Sequence, residues 1–150
     1  MTSAESRLQK EIQTLHGSGA TEVKVFPCID GDTLRWRAEL LPPEESMFHG
    51  RHFMVEITVP DTYPYVPPRM QFSTPLYHPN VTTDGAIVMS RLGKDWSPAL
   101  SIEKILMDVL TLLDAPEMND PVRADAADLY AKSREDYCRT AREATEPYAV

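Results

Sequence analysis

Residues 60–100 read PDTYPYVPPRMQFSTPLYHPNVTTDGAIVMSRLGKDWSPAL. Two textures meet in this stretch. Up to Phe72 it continues an alternating pattern, with Met70 and Phe72 marking a short strand. From Pro75 to Pro98 it has no period, being broken by Pro79-Asn80, Asp84-Gly85 and Gly93. Connections longer than roughly 12–15 residues are usually functional, so this irregular segment is the candidate site. Eight of the 13 prolines lie between Pro42 and Pro79. Because the flanks are ordinary periodic sequence, that excess marks a rigid central stretch rather than a disordered linker.

Working outward, the chain before this segment predicts one helix and a meander. Thr2 followed by Glu5 has the spacing of a capping box, and Leu8, Ile12 and Leu15 then share a helical face until Gly17-Ser18-Gly19. Alternation follows at Val23 and Val25, at Leu34, Trp36, Ala38 and Leu40, and at Phe53, Val55, Ile57 and Val59. Turn signals at Asp30-Gly31-Asp32 and Phe48-His49-Gly50-Arg51 separate these strands. Beyond Leu100, Ser101 caps a helix whose Ile102, Ile105, Leu106, Val109, Leu110 and Leu113 cover more than half its circumference, predicting a central buried helix. Asp120-Pro121 reads as an N-cap followed by proline at the first helical position, opening a short helix through Leu129 and Tyr130. Ser133 begins the last helix, with Tyr137, Ala141, Ala144 and Tyr148 on one face. The order is an N-terminal helix, a four-stranded antiparallel meander, an irregular segment and three further helices. That order is α+β, with helices segregated to one side or end of the sheet.

Composition bounds the partners. The 150 residues suit a single domain spanning 1–150, and a net charge of -8 without a lysine or arginine cluster argues against nucleic acid or anionic membrane. No stretch approaches the roughly 20 apolar residues of a membrane span, and the charged N-terminus does not read as a secretory signal. Cys28 and Cys138 are too few for a disulfide framework and lack metal spacing. A reducing compartment, cytoplasmic and also nuclear, is expected, with no metal and no cofactor.

Five motifs in register carry a resemblance. Pro60-x-x-Tyr63-Pro64-x-x-Pro67-Pro68, Tyr77-His78-Pro79-Asn80, Asp84-Gly85-x-Ile87, Trp96-Ser97-Pro98-Ala99-Leu100 and Asp120-Pro121 occur in the order and spacing of ubiquitin-conjugating enzymes. The chain resembles the small, core-only class of that family over essentially its whole length, including the closing Ala141-Arg142-Glu143-x-Thr145-x-x-Tyr148-Ala149. The resemblance implies that ubiquitin arrives as a thioester on one cysteine and that a ligase positions the complex for attack by a substrate lysine. The family cysteine lies eight residues after the asparagine, in a Gly-x-Ile-Cys context. Here that register reads Gly85-Ala86-Ile87-Val88.

Valine offers two methyl groups where thioester chemistry needs an ionisable, polarisable sulfur. Ser90 is two positions on, without a histidine nearby as its base, and stands where the closest members carry aspartate. Were the stretch extended, Ser90 would share Val88's face. Cys28 and Cys138 match no active-site position and read as strand-end and helix-packing residues. Asn80 matches the asparagine that supports the active-site loop and helps stabilise an oxyanion, and Asp120 an acidic residue that orients the incoming lysine. Without a thioester both are vestigial, and loop hydrogen bonding for Asn80 and helix capping for Asp120 are the preferred readings. His78 and Pro79 read as turn-formers.

The resemblance also implies binding surfaces. Ligase-facing positions are Tyr65, Val66, Pro98 and Ala99 on two loops, and the first-helix partner face carries Arg7 and Lys10. Tyr65 takes the place of the aromatic anchor, whereas Val66 and Ser6 stand where relatives carry cations, which weakens uptake from the activating enzyme. Trp36, Trp96 and the methionines read as packing residues, and Pro42-Pro43-Glu44-Glu45-Ser46 as an exposed acidic loop. Arg35, Arg37, Glu39, Glu56 and Thr58 are expected on the sheet face away from the helices, where some relatives bind ubiquitin. The function expected is that of a catalytically inactive variant, binding a ligase, ubiquitin or an active conjugating enzyme non-covalently. Its alternative is an active enzyme whose cysteine has been replaced at Val88. The known variant subunits typically lack the last two helices, which this chain keeps.

Overall fold

The computed structural model describes residues 3–17, 21–28 and 31–145. Thr2, Ser18, Gly19, Asp30, Tyr148 and Ala149, which enter the sequence expectations above, lie outside the described residues. Helix α1 spans Ser3–Gly17 and buries Ala4, Leu8, Ile12 and Leu15. Strands β1 (Val23–Pro27), β2 (Arg35–Leu40), β3 (Phe53–Thr58) and β4 (Arg69–Phe72) follow, then α2 (Ile102–Asp114), α3 (Ala124–Lys132) and α4 (Arg134–Thr145).

The sheet is an antiparallel meander in the order β1-β2-β3-β4. Its register aligns the apolar set of every strand, as a period of two demands. Val25 faces Ala38, Ala38 faces Val55, and Val55 faces Phe72; Leu40 faces Phe53, and Ile57 faces Met70. One face is thereby dry, and Phe53 stands edge-on to both Phe48 and Phe72, at 5.4 and 5.8 Å between ring centroids. Helix α2 closes over this core, packing on α1 and β1 and burying Ile102, Ile105, Leu106, Val109, Leu110, Leu112 and Leu113. Its first turn is capped as predicted, Ser101 Oγ accepting from the Lys104 amide at 3.1 Å.

Several expectations are corrected. Asp120 caps nothing: it is exposed in a bend, and α3 starts only at Ala124, with Arg123 in the cap position and no side-chain cap bond. The amides of Val122 and Arg123 instead both donate to the Pro79 carbonyl, at 2.9 and 3.2 Å, which holds this stretch as a turn against the irregular segment. Met107 and Met118 do not pack but stand 38% and 36% exposed. The 42–46 loop is solvated only at Glu44 and Glu45, because Pro42 and Ser46 are buried and Ser46 Oγ accepts from the Phe48 amide. Ser133 does open α4, its hydroxyl accepting from the Asp136 amide.

Candidate functional site

The irregular segment is anchored at both ends of its turn. At its downstream side Gly85 lies against β4, with a φ of +96° and its Cα so close to the strand that an added Cβ would sit 2.2 Å from the Phe72 carbonyl oxygen. The Phe72 amide donates to the Gly85 carbonyl at 2.8 Å, and Ile87 donates to Met70 at 3.2 Å. Position 88 is thus carried on an extra, partial strand along β4. Upstream, His78 is fully buried. Its Nε2–H donates to the Leu112 carbonyl in α2 at 2.7 Å while Nδ1 accepts the Asn80 amide at 3.0 Å. Burial in this apolar setting pushes the imidazole down to about 4, so it is a neutral strut between the segment and α2.

Asn80 is buried and completes the brace. Its Oδ1 accepts the Glu117 amide and its Nδ2 donates to the Glu117 carbonyl, both at 2.8 Å. The side-chain amide therefore pairs with both main-chain groups of Glu117, in the loop between α2 and α3, as one strand residue pairs with another. The Asn80 carbonyl accepts the Val88 amide at 2.9 Å. Val88 is held on this scaffold 41% exposed, between buried Ile87 and Met89. Ser90 does not continue an extended stretch beside it. It opens a 3-10 turn, Ser90–Leu92, and its amide and hydroxyl both donate to the Glu117 carboxylate, at 3.0 and 3.2 Å. The hydroxyl is directed at Glu117 by this pairing rather than placed alongside Val88. Glu117 is the residue that sequence reasoning missed: it lies in a non-periodic loop where no pattern marks it.

The loops around Tyr63–Pro68 and Trp96–Leu100 are tied to α1 by a second cluster. Glu11 Oε2 accepts the Tyr63 hydroxyl at 2.6 Å and Arg7 Nε at 2.9 Å, while Oε1 accepts the Ile102 amide at 2.7 Å. Burial first, and then the bond to Glu11, raise the Tyr63 hydroxyl far above its ordinary value. Arg7 Nη2 donates to the carbonyls of Pro98 and Leu100, at 2.6 and 3.1 Å. Its guanidinium is therefore turned into the 98–100 loop, while Lys10 on the same helix is exposed. The loops also meet directly, Trp96 Nε1 donating to the Pro64 carbonyl at 2.9 Å. What remains outside is Tyr65, 79% exposed, with Val66 45% exposed and Pro98 and Ala99 on the neighbouring loop, also exposed. Glu11 was likewise unmarked, its one sequence signal being the four-residue spacing from Arg7.

Cys28 follows β1 and Cys138 lies in α4, both half-buried and not joined in a disulfide. Among the described residues no cluster of three metal-ligating side chains occurs, and no helix is long and apolar enough to cross a membrane.

The braced turn thus exposes Val88 beside two loops and a helix locked into a common surface. A family model described as ubiquitin-conjugating enzyme matches residues 7–145, and the chain belongs to that family. It is thereby a conjugating-enzyme-like protein of the ubiquitin pathway, whose members interact with ubiquitin and with ligases.

Proposed function

We propose that this chain acts in the ubiquitin pathway as a binding protein and does not carry ubiquitin as a thioester. Val88 carries this reading. It stands at the position that the resemblance assigns to the cysteine, and its exposed side chain has no atom that can attack an acyl group. Ser90 is a poor substitute, because its hydroxyl bonds to Glu117, a carboxylate far too weak a base to ionise an alcohol. The surface formed by Tyr65, Val66, Pro98 and Ala99 supports non-covalent docking of a ligase, since the Arg7, Glu11 and Trp96 bonds order it before any partner arrives. Ubiquitin and an active conjugating enzyme are the other partners this reading admits, and the cytoplasm and nucleus are the compartments it implies.

The test is incubation with activating enzyme, ubiquitin and ATP, followed by a non-reducing gel. No adduct is expected. A thiol-sensitive adduct overturns the proposal, and a thiol-resistant, hydroxide-labile one transfers the chemistry to Ser90. Val88→Cys in the same assay separates loss of the nucleophile from loss of activating-enzyme docking: an adduct shows that only the nucleophile is missing.

A further inference from the structure

A serine or threonine directly precedes proline at two places in the chain, Thr74-Pro75 and Ser97-Pro98. Their surroundings are opposite. Thr74 is 8% exposed, and its Oγ1 accepts the Met54 amide from β3 at 3.0 Å. Ser97 is exposed, as are Pro98 and Ala99 after it and Lys94 and Asp95 before it. Its Oγ accepts the Ala99 amide at 3.2 Å, and its carbonyl accepts the Leu100 amide at 2.9 Å. The hydroxyl thus serves an outward turn as an acceptor, a part that phosphate oxygens can take over. Arg7 closes the turn from α1, its Nη2 donating to the carbonyls of Pro98 and Leu100.

We propose that Ser97 is the phosphoacceptor of a proline-directed protein kinase, and that its phosphorylation weakens ligase docking on the surface beside it. The residue before a proline is biased to extended backbone, and of the two candidates only Ser97 can be reached by an enzyme. In the transfer, Ser97 Oγ bonds to the γ-phosphorus of ATP as the bond to the bridging oxygen breaks. ADP leaves, and the hydroxyl proton passes to the catalytic aspartate of the kinase. The product adds about -1.5 to -2 charges next to Pro98 and Ala99, on the loop that neighbours exposed Tyr65 and Val66. A partner covering that apolar surface must then strip water from a dianion. The effect on docking rests on the ligase reading above; the site does not. Arg7 guards the site, because the turn opens for a kinase only when the bonds to Pro98 and Leu100 part.

The experiment is incubation of the full chain with a mitogen-activated protein kinase and ATP, followed by peptide mapping in a mass spectrometer. One phosphate per chain is expected, on Ser97. Ser97→Ala should lower incorporation at least about tenfold, and Thr74→Val should leave it within about twofold. Arg7→Ala should speed incorporation about threefold or more with Thr74 still unmodified, whereas a folding defect would open Thr74 as well. Against one ligase domain in a calorimeter, the phosphorylated chain should bind about tenfold or more weakly than the unmodified chain. The site is overturned by an absence of phosphate, by phosphate on Thr74 or elsewhere in place of Ser97, or by undiminished incorporation into Ser97→Ala. An unchanged rate in Arg7→Ala overturns the guard, and equal affinity of the two forms overturns the effect on docking. An unmodified chain that binds no ligase domain overturns the docking reading itself, while the mapped phosphate still decides the site.

Discussion

Val88 has little to do with stability. It is 41% exposed, so Val88→Cys should shift the urea midpoint by less than about 0.5 kcal/mol equivalent, leaving any adduct it forms interpretable. The residues beneath it are different. Gly85→Ala places a methyl group 2.2 Å from the Phe72 carbonyl at a positive φ, and should cost about 3 kcal/mol or more in denaturant unfolding. His78 makes a pH-dependent contribution. Its imidazole is pushed down by burial from 6.5 to about 4. Above pH 6.5 both folded and unfolded states are neutral, and the group is silent. As pH falls below 6.5 the unfolded chain takes the proton first, and stability is lost until the native ring also protonates near 4, on the order of 3 kcal/mol in all. Two measurements check this: the His78 ring signals should not titrate between about pH 8 and 5, and His78→Gln should flatten the loss of stability with acid.

At the scale of elements, the clearest contrast is between two helix starts. Ser101 and Asp120 present the same local signal, a short polar side chain ahead of helical sequence, and only Ser101 caps. The difference lies 41 residues or more away in the chain: the Pro79 carbonyl captures the amides of Val122 and Arg123, a long-range demand that no window around Asp120 contains. Ser101→Ala should therefore cost about 1 kcal/mol, whereas Asp120→Ala should leave stability within about 0.5 kcal/mol of the parent. The attachment of α1 follows a similar logic. Glu11, with a side chain only 12% exposed, holds the Tyr63 hydroxyl, the Ile102 amide and Arg7 together. Its replacement by alanine strands two buried donors and should cost about 3 kcal/mol. The same variant should loosen the 98–100 loop, seen as faster amide hydrogen exchange there, since Arg7 loses the carboxylate that orients it.

For the molecule as a whole, docking and folding are separable. Tyr65 is 79% exposed, so Tyr65→Ala should leave the melting temperature unchanged, and the proposed ligase docking requires that it weaken binding of a ligase domain about tenfold or more, read by calorimetry. The α+β order, the four strands and their inward faces, and the burial of α2 were legible in the sequence, because they depend on periodicity, and periodicity is a property of neighbours. The motifs around His78-Pro79-Asn80 and Val88 were legible too, since residue identity at fixed spacing carried the resemblance. Glu117, Glu11 and the turn that displaces the start of α3 were not. Each has decisive partners 27 or more residues away in the chain, Ser90 and Asn80 for Glu117, and Tyr63 and Ile102 for Glu11 beside its near neighbour Arg7. The sequence by itself determined which side chains are available for chemistry, above all that position 88 holds no sulfur. Only the tertiary structure decided which polar groups are already satisfied, because a buried hydrogen bond is settled by what folding brings within 3 Å, not by what precedes or follows it in the chain.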